Sequence, residues 1–485
     1  MDYVQITEDQ QRKMLDLIGV SEPEDLYARL PQSHRLDRPL ALPAALSELE
    51  LQRALHERAS ENRPAAAADA AGFLGGGAYD HFIPAVVDAL AGQSAFVTAY
   101  TPYQAEASQG ALQAFFEFQT QISRLAGLDV ANASLYEGAT STAEAVMMAL
   151  NATGKRRVLV ASTLHPHHRA VLRTYLQDLA AEVVEVDATN GRIDVQTLRA
   201  ALGKGTDADE AQSDVACLVV QSPNVYGLIE DWQGLFTALH DHDGALAIAV
   251  FNPIACALLK TPGACGADVA AAEGQPLGIP LQYGGPYLGL FAARRALMRK
   301  MPGRLIGQTT DAAGRRAFCL TLQTREQHIR GAKATSNVCT NQGLLALRAT
   351  IYLSAMGPHG LREVARQCHH KAQHAAARIQ ELDGFSLAHE GPFFHEFVVD
   401  CPVPAHDLID RGRAWRILPG LDCSALGIGT KNQLLIAVTE KRTAADIEQL
   451  VRLLKTAGEQ RNEPQMHTDS EASARGPSRR EARRH

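Results

Sequence analysis

The chain has 485 residues, which is long enough for two or more domains with a large core. Its net charge of −7 argues against nucleic acid as a partner, and its eight scattered cysteines form no Cys-x-x-Cys pair. That cysteine pattern favours a reduced cytoplasm over a disulfide framework or a zinc site, so we expect a cytoplasmic protein. The first residues contain no apolar run, and no stretch is long enough to span a bilayer, so we expect neither a signal peptide nor a membrane segment.

The first 70 residues are predicted to be a helical segment, with an amphipathic helix beginning at Leu46. From residue 71 onward, strands and helices alternate as far as the region of residue 320. The apolar strands begin at Arg157, Ala181, Val215 and Ala245. Alternation of this kind predicts a large α/β domain with a mainly parallel sheet over residues 71–343.

A second domain is predicted after this sheet. A buried linking helix and a small C-terminal α+β domain are expected over residues 344–457, because one apolar helix is followed by short strands and a last helix. The tail, residues 458–485, is polar and without apolar period, which is typical of a disordered segment.

The region between these domains carries an unusual density of donor side chains. They are Arg325, His328, Arg330, Lys333, Ser336, Asn337 and Asn341. No helical or strand period organises them, so the segment is predicted to be an ordered loop that recognises an anion or a partner. A solvated connecting loop, or a network of salt bridges within the chain, explains the same composition equally well.

Several long blocks resemble one known family. They are FLGGGAYDHFIP from Phe73, TAYTPYQAEASQGALQAFFEFQT from Thr98, NASLYEGATSTAEA from Asn132, EGQPLGIPLQYGGPYLGLFA from Glu273 and the donor loop itself. In this order they resemble the P-protein of the glycine cleavage system, and specifically the alpha subunit of its split form. The resemblance implies the aspartate-aminotransferase-like fold (fold type I) of pyridoxal-phosphate (PLP) enzymes.

The resemblance also implies an activity and its partners. Glycine loses its carboxylate as CO2 on PLP held by a beta subunit, and the aminomethyl group passes to the lipoyl group of the H-protein. The expected assembly is an alpha-beta heterodimer or its dimer. Two alternatives are a self-sufficient PLP enzyme and a catalytically silent scaffold that stabilises the beta subunit or recruits the H-protein.

The residues that would hold PLP covalently are missing from the sequence. In the catalytic sister subunit, a lysine follows the aspartate of a Gly-Ala-Asp motif by eight residues. Here Asp268 ends such a motif, but Pro276 stands in the lysine register and Gln275 precedes it. Residues 244–262, where an acid would pair with the pyridine nitrogen, contain no Asp or Glu. We therefore expect no catalytic residue on this chain and no activity from it alone.

Three further features lead to site predictions. Gly138, Thr140 and Ser141 open a helix and are candidates for binding a phosphate, although ordinary capping by Thr140 or Ser141 is favoured. Residues lent to the partner's site are predicted in the turn at Tyr100, Thr101 and Tyr103 and in the donor loop at Arg325, Arg330, Lys333 and Asn337. A buried structural turn explains the first group equally well.

Two departures complete the picture from the sequence. Gly331 and Ala332 replace an Arg-Glu pair that is usual in the family, so any contact of that pair is in doubt. His165, His167 and His168 cluster without a cysteine or carboxylate to complete a metal shell, and we expect no metal site.

Overall fold

In this computed structural model of the chain, two compact units are present, Met1–Arg63 and Pro64–His485. The residues described are 6–62, 70–98, 101–203, 214–241 and 244–459. Tyr100 and the predicted tail beyond residue 459 therefore lie outside the described residues, while residues 458 and 459 of that tail belong to the last helix.

The first unit contains the α-helices Glu8–Ile18 and Glu48–Ser60. Each begins with a capping box, in which the hydroxyl of Thr7 or Ser47 accepts a backbone N–H of the first turn. Neither helix buries a residue. The helix predicted from Leu46 is confirmed.

The second unit is built on a seven-stranded sheet. From edge to edge its strands are Val130–Ala131, Gly289–Ala293, Val269–Glu273, Leu246–Phe251, Val215–Ser222, Arg157–Ala161 and Glu182–Val186. The last five run parallel to one another, and Gly289–Ala293 is antiparallel to its neighbours. The central strands are buried, as their continuous apolar sequences require. The predicted α/β architecture is confirmed.

Smaller strands form the rest of the second unit. Leu305–Thr310 and Arg316–Thr321 pair as an antiparallel hairpin. Ala71–Gly72 pairs with Ile417–Leu418. An antiparallel sheet has the order Ser386–Leu387, Glu396–Asp400, Gln433–Ala437, Leu421–Asp422. We call this four-stranded sheet and its helices the small lobe, and the seven-stranded sheet and its helices the large lobe.

Helices cover both lobes. In the described part of the second unit the α-helices are Ala85–Ala91, Ser94–Val97, Gln109–Ala126, Gly138–Thr153, Pro166–Leu176, Val195–Leu202, Trp232–His240, Gln327–Arg330, Gly343–Gln380, Ala405–Ala414 and Ala444–Glu459. The stop predicted at Gly127 is confirmed, because this residue caps its helix with φ +68. Every helix in the described residues is too short or too polar to span a membrane.

The helical stretch Gly343–Gln380 consists of two helices that meet at a kink, as the sequence pattern predicts. Its path kinks at Gly357, whose φ is 58 and ψ is −177, and Pro358 follows. Ala349 and Tyr352 before the kink pack into the core of the large lobe, whereas Ala375 and Ile379 pack into the core of the small lobe. The predicted domain boundaries at residues 70, 343 and 457 remain predictions.

Candidate functional site

A small cavity of about 50 Å³ lies beyond the carboxyl ends of the parallel strands, where ligands of α/β proteins usually bind. We call it the closed cavity, a name that refers to its small volume. Asn252, Glu273 and Pro276 line it from the large lobe, and His395 and Glu396 line it from the small lobe. Its position makes it the counterpart of a cofactor pocket, so its residues show what this chain can hold.

The position where the sister subunit would carry its lysine brings no amine to the closed cavity. Pro276 lines the cavity, while the buried Gln275 amide serves the backbone. Its oxygen accepts the N–H of Tyr79 at 2.8 Å, and its nitrogen donates to the carbonyls of Tyr79 at 3.0 Å and Ile279 at 2.8 Å. The nearest lysines in sequence, Lys260 and Lys300, do not line the cavity.

The strand that would carry an acid ends in a neutral side chain. Asn252 follows the strand Leu246–Phe251, and its oxygen accepts the N–H groups of Ile254 at 2.9 Å and Ala255 at 3.1 Å. This amide caps the following turn and brings no negative charge. The cavity therefore has no anion where a pyridine nitrogen would need one.

The helix start predicted as a phosphate site is occupied by carboxylates of the chain. Glu137 is the N-cap of helix Gly138–Thr153 and accepts the N–H groups of Ala139 and Thr140. The N–H of Gly138 donates to Glu273 at 3.0 Å. Burial raises the pKa of Glu273 to about 7. These contacts fill the predicted anion site. The predicted capping by Thr140 is present in part, because its hydroxyl accepts the N–H of Glu137 at 3.4 Å in a capping box.

Position 138 requires glycine because the backbone of Glu273 lies too close for a side chain. A Cβ there would lie 2.8 Å from the backbone nitrogen of Glu273, which is closer than van der Waals contact allows. The backbone of the helix start is thus pressed against the strand end, and the space that a phosphate would need is filled.

A larger pocket of about 230 Å³ opens at the donor loop, and we call it the open pocket. Tyr103, Arg304 and Arg325 line it, together with His328 and Ser336. The Arg304 guanidinium lies 5.4 Å from the centre of the Tyr103 ring, and its Nε is 3.3 Å from Glu326. The sequence did not single out Arg304, because a lone arginine before the hairpin gives no pattern.

Arg325 is bound to the backbone, which was not expected. Its guanidinium donates to the carbonyls of Leu322 at 3.1 Å, Gly303 at 3.0 Å and Met301. Burial lowers the pKa of Arg325 from its ordinary value. The side chain therefore holds the floor of the open pocket in place through uncharged partners rather than salt bridges.

Three other predicted residues are exposed. Arg330, Lys333 and Asn337 project from the donor loop, and their side chains have no hydrogen bond within the described part of the chain. They remain available for another molecule. The structure brings Tyr103 and Arg325 together in the open pocket, while Thr101 lines a neighbouring pocket of about 240 Å³ with Asn341.

The donor loop is anchored to the helix Gly138–Thr153 and to Tyr136, two residues before it. The hydroxyl of Ser336 donates to Glu144 at 2.8 Å, and the N–H of Cys339 donates to the Tyr136 hydroxyl at 3.0 Å. Burial raises the pKa of Glu144 to about 7. One helix thus supports both the closed cavity, at its start, and the loop that borders the open pocket.

Comparison with known proteins identifies the family of the chain. Residues 1–454 match the family model of the glycine cleavage system P-protein. The chain belongs to this family. It is 46% identical over 455 residues to the probable glycine dehydrogenase (decarboxylating) subunit 1 of Chlorobium chlorochromatii, covering 94% of this chain and 99% of that protein. The equivalent protein of Desulfitobacterium hafniense is 45% identical over 93% of this chain and 98% of its own length.

Solved structures agree with this assignment. The crystal structure of an inhibitor-bound glycine decarboxylase (P-protein) matches with a TM-score of 0.83 and 42% identity, covering 94% of this chain and 100% of that one. A NifS-like protein from Rickettsia africae matches with a TM-score of 0.58 at 12% identity and shares the fold alone. The predicted fold of PLP enzymes, fold type I, is therefore confirmed.

Proposed function

We propose that this chain is the alpha subunit of a two-subunit glycine decarboxylase and works only with a beta subunit that carries the PLP lysine. The names of its relatives, which are called subunit 1, support the need for a second polypeptide. In the pair, glycine is decarboxylated, and the aminomethyl group passes to the lipoyl group of an H-protein. We expect an alpha-beta heterodimer or its dimer, located in the cytoplasm.

The observation that carries this proposal is the state of the closed cavity. Pro276 takes the lysine register, and the carboxylates of Glu137 and Glu273 take the helix donors that a phosphate would need. These residues do not fit PLP. In the partner, PLP would supply the electron sink for loss of CO2 from glycine.

The open pocket is the best candidate for what this chain contributes. The ring and hydroxyl of Tyr103 are 67% exposed beside the Arg304 cation, so they can meet a neighbouring subunit without further unfolding. Arg330 and Lys333 are suited to carboxylates, either of glycine or of an acidic H-protein surface.

The first experiment uses the purified chain alone, incubated with PLP and then with borohydride. We expect no reduced cofactor attached to the protein and no CO2 released from labelled glycine, since the lysine register has no amine. A covalent adduct on this chain, found by peptide mass mapping, would contradict the proposal.

The second experiment uses the chain co-expressed with its beta subunit. Tyr103→Phe and Lys333→Ala are compared with the exposed control substitutions Tyr27→Phe and Lys431→Ala, by native mass and glycine turnover. Loss of turnover in an intact complex supports lent residues. Loss of assembly alone supports the second candidate, a silent scaffold, which is favoured by the use of Arg325 for backbone contacts.

A further inference from the structure

Three potential metal ligands from distant parts of the sequence meet outside the two pockets. They are His81, before the helix Ala85–Ala91, Cys368, on the long helix, and Glu440, before the last helix. One ligand atom from each lies within 4.8 Å of the other two. His81 and Cys368 are buried, and the Glu440 side chain is 11% exposed.

The carboxylate of Glu440 is the centre of this group. Its Oε2 lies 2.7 Å from Nδ1 of His81 and 3.3 Å from the Cys368 sulfur, and its Oε1 accepts the N–H of Phe82 at 2.6 Å. The nitrogen, the sulfur and the oxygen therefore converge on one point, with backbone contacts that fix the carboxylate.

The surroundings contain more unpaired polar atoms than a closed hydrogen-bond network would leave. Nε2 of His81, both ring nitrogens of His395 and the hydroxyl of Tyr352 are buried and have no hydrogen bond within the described residues. The His395 ring centre is 6.3 Å from that of His81, and Tyr352 is within electrostatic range of Glu440 and Cys368. Buried polar atoms are normally paired, so the unpaired Nε2 of His81, which belongs to the group itself, favours an ion or ordered water at this place.

We propose that His81, Cys368 and Glu440 bind one divalent metal ion of the zinc type. An imidazole nitrogen, a thiolate and a carboxylate oxygen are the donors that zinc prefers, at distances of roughly 2.0–2.3 Å. Binding displaces the thiol proton of Cys368, so that the sulfur–hydrogen bond is replaced by a sulfur–metal bond and the proton passes to solvent. The fourth position is open to water.

The proposed ion is structural and independent of the proposed function. It joins the segment that enters the large lobe, the long helix and the turn that leads to the last helix. The Lys371 ammonium donates to the Glu440 carbonyl and adds a positive charge near the two anionic ligands. A site of this kind holds chain segments together, as structural zinc sites do.

The test is metal analysis of the purified chain after incubation with zinc and gel filtration. We expect about one ion per chain, as a single closed site requires. With cobalt in place of zinc, a thiolate-to-cobalt absorption band should appear. X-ray absorption spectroscopy should find one sulfur and several nitrogen or oxygen ligands, which needs no variant.

Matched variants assign the ligands. Cys368→Ser and Glu440→Gln should weaken zinc binding by more than the roughly 10–100-fold that loss of a supporting contact costs, and Cys368→Ser should abolish the cobalt band. Cys401→Ser, which removes a buried cysteine of the small lobe core, should leave both unchanged. Circular dichroism confirms that each variant is folded.

Three outcomes would overturn the proposal. They are a folded wild-type chain that retains no stoichiometric metal, an absorption spectrum of the metal without sulfur, and full zinc binding by Cys368→Ser. Any of these would identify the group as a hydrogen-bonded triad. None of them bears on the decarboxylase proposal, whose readouts are cofactor trapping and glycine turnover.

Discussion

The closed cavity and the open pocket differ in how far their polar side chains are exposed. At the closed cavity, Glu273 and the neighbouring Gln275 form hydrogen bonds to nearby backbone groups. In the open pocket, Tyr103 stays exposed next to Arg304, and the pocket volume is several times larger. The difference teaches that one fold can pair the donors of a helix start with its own carboxylates and leave polar side chains exposed on another surface.

The largest expected change in stability comes from removing the Glu273 carboxylate, which lines the closed cavity. Glu273→Ala leaves the N–H groups of Gly138, Gln275 and Leu288 without their acceptor. We expect the free energy of unfolding to fall by about 3 kcal/mol, measured with urea. The control Glu363→Ala removes an exposed helix pair and should cost less than about 0.5 kcal/mol. Equal effects would show that Glu273 does not support the cavity.

A second prediction concerns pH and the support of the donor loop. The pKa of Glu144 is raised by burial to about 7 from 4.5, so the folded protein favours the protonated form. Its stabilising contribution is complete below about pH 4.5 and is lost as the pH rises to about 7. Glu144→Gln abolishes this loss.

The unfolding free energy of Glu144→Gln, relative to wild type, should therefore rise by roughly 2–3 kcal/mol across this range. Urea unfolding at several pH values measures it. Glu57→Gln, an exposed change in the first unit, is the control and should show a flat difference. A flat difference for Glu144→Gln as well would refute the link between burial and titration.

A third prediction tests the open pocket. Arg304→Ala removes the arginine partner of Glu326, whose side chain is 11% exposed and keeps only the contact with His328 at 3.5 Å, and it removes the cation beside Tyr103. We expect a loss of about 2 kcal/mol in unfolding free energy and lower glycine turnover by the co-expressed pair. Arg316→Ala removes an exposed cation from Phe318 and should change stability by less than about 1 kcal/mol. An unaltered turnover with Arg304→Ala would remove the open pocket from the proposed site.

The smallest effect is expected at Gly331 and Ala332 of the donor loop. Gly331 has φ +56, a conformation that side chains rarely adopt, and open space surrounds it. Gly331→Arg should therefore cost about 1 kcal/mol through backbone strain, as measured by urea unfolding. Ala332→Glu on the same exposed turn should stay within about 0.5 kcal/mol. A stabilising Gly331→Arg would show that the loop changes path.

The sequence predicts the large lobe well because buried parallel strands are continuous apolar runs. The strand at Leu246–Phe251 and the helix stop at Gly127 are read directly from residue type. The sequence also separates the helices on either side of Gly357 and Pro358, where the non-helical φ of 58 and ψ of −177 at Gly357 mark a sharp kink.

The site residues were harder to predict, and the reason is physical. A sequence shows that Arg325 is cationic but not that its partners are backbone carbonyls. It shows a helix start at Gly138, but the cap comes from Glu137 and from Glu273 on a distant strand. The three residues at His81, Cys368 and Glu440 have no local spacing, so only folding brings them together.

The long helix has a consequence for how the second unit melts. Its two segments join directly at the kink at Gly357, and they are built into two different hydrophobic cores. Unfolding of either segment exposes apolar surface in its own core and removes the attachment of the other segment. Heating should therefore unfold both lobes in one cooperative transition, and calorimetry would show a single heat-absorption peak for them.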